Sequence, residues 1–111
     1  MPEDTPVLDT LADMTAASLE RSILEPREHM IARIAALVAQ DAPPASYLLN
    51  AGTAADVGLT LEDAQGILIA VAPIVGAPRV VSASQNITQA LGFAIAVLEA
   101  AIEAELEAEG D

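Results

Sequence analysis

The chain has 111 residues, 53% of them apolar, with only two aromatic side chains, Tyr47 and Phe93, and no cysteine. Its net charge is −13, and its four basic residues are all arginines, Arg21, Arg27, Arg33 and Arg79. The zero cysteine count rules out disulfides, thiolate metal sites and thiol redox chemistry within the chain. The acidic balance argues against nucleic acids and anionic membrane surfaces, because both recruit basic patches.

The length suits one domain over 1–111. A chain this short buries only about two-thirds of its unfolded surface, yet its mean hydropathy is +0.45. Part of the apolar excess is therefore expected at a subunit interface. The N-terminal "MPEDTPVLD" is acidic and does not read as a signal peptide. The longest apolar run, Gly66–Pro78, is too short to span a bilayer and holds two prolines. A cytoplasmic setting is expected.

Taken in chain order, the first helix runs from Pro6 to about Ile23, on the spacing of Val7, Leu8, Leu11, Met14, Leu19 and Ile23. Residues 1–5 ahead of it are expected to fray. Pro26 opens a second helix that ends near Gln40, with Ile31, Ile34, Leu37 and Val38 as its apolar stripe. "DAPPA" enforces a break, because Pro43 disfavours helical geometry at Ala42. Pro44 begins a third helix, and Gly58 stops it.

Thr60 and Asp63 form a capping box for the fourth helix, which Pro73 is expected to kink or end. After Gly76-Ala77-Pro78 comes a long fifth helix, about Arg79 to Leu106. Its stripe is Val80, Ala83, Ile87, Leu91, Ile95, Leu98 and Ile102. Gly92 weakens the interior of that helix, and a close helix crossing would account for it. The acidic tail, about 106–111, is expected to fray against the helix dipole. There is no strand-like alternation. The sum is an all-α domain, a helical bundle of about five helices.

Few residues offer chemistry. His29 is the only histidine. It reads as a surface or capping residue, or as a proton donor lining a pocket. Tyr47, with Ser46 and Asn50 on the third helix, offers a hydroxyl and an amide in apolar surroundings; the plain alternative is a packed tyrosine with its hydroxyl paired. Arg79 either pairs across an interface or clamps a substrate carboxylate. Glu62 and Asp63 read as capping residues. Phosphate loops, nucleophile elbows and dinucleotide fingerprints are all missing, and no cofactor or metal is expected.

Two segments, "LEPREHMIARIAALVAQ" (Leu24–Gln40) and "GLTLEDAQGILIAVAPIVGAPRVVSA" (Gly58–Ala83), carry a resemblance. Together they resemble the carboxymuconolactone decarboxylase family, which includes the alkylhydroperoxidase D-like proteins. The second is the more specific, with its Gly-x-Thr entry, acidic helix start, Ala-Pro and Gly-x-Pro in order. The resemblance implies an all-α, alkylhydroperoxidase D-like bundle that assembles as a homo-oligomer, a trimer or hexamer. It also implies where chemistry would sit. The peroxidase-like branch uses a Cys-x-x-Cys pair with a glutamate and a histidine as proton relay. Here the pair falls on Ala42 and Ala45, the glutamate on Met30, and the histidine on Leu49 or Asn50.

Thiol peroxidase chemistry is therefore absent. The cofactor-independent decarboxylase branch acts on a lactone bearing carboxylates, and the third-helix histidine it carries is missing here too. On this reading His29 and Tyr47 are the candidate catalytic groups, and Arg33, Asn50 and Arg79 the candidates for binding a small carboxylated acid or lactone. The alternative is a non-catalytic oligomeric scaffold or partner subunit, which the loss of all four redox positions favours.

Overall fold

The computed structural model describes residues 4–109, and these form five helices with no strand. They are α1 (Pro6–Arg21), α2 (Pro26–Ala39), α3 (Pro44–Asp56), α4 (Leu61–Val75) and α5 (Ala77–Glu109). Expectations about residues 1–3, 110 and 111 lie outside the described residues.

Proline starts three of the helices: Pro6, Pro26 and Pro44 each stand in a first turn, where a missing N–H leaves no bond unmade. α4 starts by the other route. The Thr60 hydroxyl accepts from the Asp63 N–H at 3.2 Å while the Asp63 carboxylate accepts from the Thr60 N–H at 2.9 Å.

Two helices end alike. The Ala42 N–H reaches back to the Leu37 carbonyl at 3.0 Å and the Asp41 N–H to Val38 at 3.1 Å, with Asp41 in the left-handed region at φ 53°. The Leu59 N–H reaches Ala54 and the Gly58 N–H reaches Ala55, both at 3.0 Å, with Gly58 at φ 83°. Both are Schellman turns, which satisfy the orphaned carbonyls of a helix end.

α5 differs from the sequence expectation at its start and its end. Only Gly76, at φ 89°, separates it from α4, and it begins at Ala77 because Pro78 is tolerated in a first turn. It stays helical to Glu109, beyond the expected fraying point. Pro73 does not end α4 either. It lies so near the C-terminus that the helix continues to Val75 and Gly76 terminates it.

The core runs along α2, which packs on α3, α4 and α5, while α5 also packs on α3 and α4. Met30 and Val38 of α2 are fully buried. Around them lie Tyr47, Ile67, Ala83 and Ala90. The alanines of α5 give it a close approach to its neighbours. Ile95 and Leu98, expected on the same stripe, lie outside the described side chains. Gly92 does not mark a crossing within the chain, since an added Cβ would meet nothing within 4 Å.

Two regions stand apart from this core. No residue of α1 is buried, and Val7, Leu8, Leu11 and Met14 are all exposed. The far end of α5 is exposed as well, with Ile102 and Leu106 in the open. Its 33 residues, at about 1.5 Å each, account for most of the 55 Å long axis. No single helix among the described residues is long and apolar enough to cross a membrane. α3 and α4 would pass that test only as a pair, bent by 120°.

Candidate functional site

An open cleft of about 190 Å³ lies between α2, α3, α4 and α5. Its walls are mostly apolar, with Ile34, Ala54, Leu59, Ile67, Ile87 and Leu91 among the lining residues. Tyr47, Asn50 and Thr60 also line it, and no charged residue does among the described residues.

The polar lining is largely committed. The Asn50 carbonyl oxygen accepts from Arg33 Nη1 at 3.4 Å, and its amide donates to the Ser46 carbonyl at 2.9 Å. Thr60 is held in the capping box. Tyr47 is buried and its hydroxyl has no hydrogen-bond partner, so the sequence expectation of a paired hydroxyl fails. Burial pushes the Tyr47 phenol up from its ordinary value, and the Asp41 carboxylate adds to the effect. A phenol held this way stays protonated and is a poor acid or base near neutrality.

The five candidate residues do not converge. Tyr47 and Asn50 share the cleft, and Arg33 stands behind Asn50 with its Nη2 bonded to the Thr15 carbonyl of α1 at 2.8 Å. His29 is not among the cleft residues. It is buried on α2, contrary to the surface reading, and its Nε2 has no partner. Arg79 is elsewhere: its Nη1 donates to the Ala39 carbonyl at 2.7 Å. It begins α5 yet bonds the C-terminal end of α2, where a cation is favoured.

That bond belongs to an anchor that sequence reasoning missed. Ser82 donates to the Asp41 carboxylate, and the Asn86 amide donates to the Ala42 carbonyl at 3.1 Å. Arg79, Ser82 and Asn86 recur at helical spacing, so one face of α5 holds the α2–α3 joint in three places. The signal was present in the sequence as a polar stripe running alongside the apolar one. The α2–α3 joint is thus a structural clamp, with Ala42 buried inside it.

The remaining arginine with a resolved partner, Arg27, grips Asp63 with two bonds, 2.7 Å and 3.2 Å, and the Gly58 carbonyl at 3.3 Å. Among the described residues no three His, Cys, Asp or Glu side chains gather as a metal-ligand set. No family model, curated protein or solved structure matches the chain.

Proposed function

We propose that this chain is a non-catalytic, oligomeric helical module of the carboxymuconolactone decarboxylase type, acting in the cytoplasm as a scaffold or partner subunit. The observation that carries this reading is the fate of the arginines. Arg27, Arg33 and Arg79 each bond groups of the chain itself, and none lines the cleft. A carboxylated substrate in an apolar cleft without a cation would lose its hydration and gain no counter-charge. The exposed apolar side chains of α1 and of the far end of α5 supply surface for assembly. A trimer or hexamer is the form the family resemblance suggests.

The test is a thermal-shift screen with small carboxylic acids and carboxylated lactones. No change in melting temperature is expected. A shift that vanishes in Arg33→Ala or Arg79→Ala would overturn the reading in favour of a ligand site. That second reading, binding or cofactor-independent conversion of a small carboxylated acid or lactone, has one observation of its own: Arg33 lies a single hydrogen bond behind Asn50 in the cleft wall. A ligand that displaced Asn50 would meet its guanidinium.

A further inference from the structure

We infer that the cleft between α2, α3, α4 and α5 is the seat of α1 from a second copy of the chain. The inference rests on the oligomeric reading above and names the surfaces that meet. At about 100° per residue, Met14, Val7, Leu11 and Leu8 fall along one arc of α1. Asp9, Asp13 and Glu20 fall on the opposite arc. The apolar arc is exposed throughout, and Ala17, the only half-buried residue of α1, lies off it. The leucines of the helix are therefore left uncovered by its own body.

The body offers a matching surface that its own α1 does not line. Among the described residues the cleft has no charged wall, and Asn50 and Thr60 already have bonds. It presents hydrocarbon to whatever enters. An uncharged stripe fits such a surface while the acids on the far side of α1 stay in water. The sizes agree as well. An apolar cavity of about 150 Å³ holds a benzene ring, so the 190 Å³ here has room for about eight carbons, the side chains of two leucines. Leu8 and Leu11, one turn apart, are such a pair.

The chain leaves α1 free to reach a neighbour. Ser22 and Glu25, at the two ends of the linker, are extended, with ψ 137° and 147°. Within its own chain, Arg33 donates to the Thr15 carbonyl of α1 at 2.8 Å, and α1 forms no packed helix pair with the body among the described residues. Each copy carries one helix to give and one cleft to fill, so the contact closes as a reciprocal pair or a ring.

The parent chain has no cysteine, so introduced thiols report without background. Leu11→Cys and Ala54→Cys are prepared separately, mixed and mildly oxidised. The expected result is a covalent species of twice 11.4 kDa in the mixture and little in either variant alone. Leu8→Cys with Leu59→Cys is a second pair, guarding against poor local geometry in the first. In parallel, Leu8→Asp with Leu11→Asp is expected to lower the assembly to the single-chain mass with its helical circular dichroism unchanged.

Three outcomes would overturn the inference. A disulfide formed within one chain when Leu11→Cys and Ala54→Cys are placed together in it would mean that α1 covers its own cleft. An assembly that survives both aspartates without cross-linking would locate the contact elsewhere and leave the oligomeric reading standing. A parent chain that is monomeric at all concentrations would remove both.

Discussion

Asp63 accepts hydrogen bonds from both Arg27 and Thr60 through its carboxylate. It closes the α4 cap and holds Arg27 from α2, tying the start of one helix to the start of another. Its carboxyl is held at about 2, against an ordinary 3.8, first by the hydrogen bonds from Arg27 and then by the Thr60 N–H. The unfolded chain thus takes up this proton before the native one does. The stabilisation is complete above about pH 3.8 and is lost as pH falls towards 2. Asp63→Asn is expected to flatten the acid limb of stability in that window, measured by urea unfolding at stepped pH; an unchanged limb would contradict the pairing. Thr60→Ala should lower stability by about 1 kcal/mol. Tyr47→Phe is a contrasting case. The hydroxyl it removes is buried without a partner, so stability should hold or rise by up to about 1 kcal/mol, and a clear loss would reveal an acceptor supplied by a partner molecule. The capping box was legible in the sequence because Thr-x-x-Asp is a local code. The burial of His29 was not legible, since one residue on a helix turn carries no record of which neighbour will cover it.

At the scale of helices, proline and glycine set most of the legible boundaries, although α5 begins at Ala77, ahead of Pro78, where the sequence reading started it after that proline. Pro26, Pro44, Gly58 and Gly76 set theirs by backbone geometry alone. Asp41 escaped notice because it takes the left-handed turn position that glycine usually fills. Gly76 stands at φ 89° and ψ 159°, a region nearly closed to residues with a Cβ. Gly76→Ala should therefore lower stability by about 2 kcal/mol. Gly66→Ala should do the reverse. That glycine is exposed within α4 with open space around it, and the alanine should add about 0.5–1 kcal/mol. Chemical denaturation of the two variants beside the parent checks both signs. The amphipathic pattern of α1 was equally plain in the sequence, but not its destination. A period of 3.6 says that a face is apolar and says nothing of which chain buries it.

For the whole molecule, charge and apolar surface pull against each other. The net charge of −13 opposes bringing copies together, while the exposed stripe of α1 and the outer half of α5 favour it. Raising salt from about 0.01 to about 1 M shortens the screening length from about 30 to about 3 Å. Salt should therefore raise the melting temperature and strengthen association together, as followed by scanning calorimetry and sedimentation. A fall in both would mean that ion pairs, rather than apolar contacts, hold the copies. Composition had pointed to this balance, because a short chain with so much aliphatic side chain cannot cover it alone. The spread of the arginines could not be read that way, as it depends on contacts 18 to 40 positions apart in the chain. The measurement closest to the centre of this account is the mass of the parent protein in solution by light scattering across a dilution series. A mass of two or more times 11.4 kDa is expected, persisting to low concentration. A mass of 11.4 kDa throughout would contradict the oligomeric module and leave the apolar face of α1 without a role.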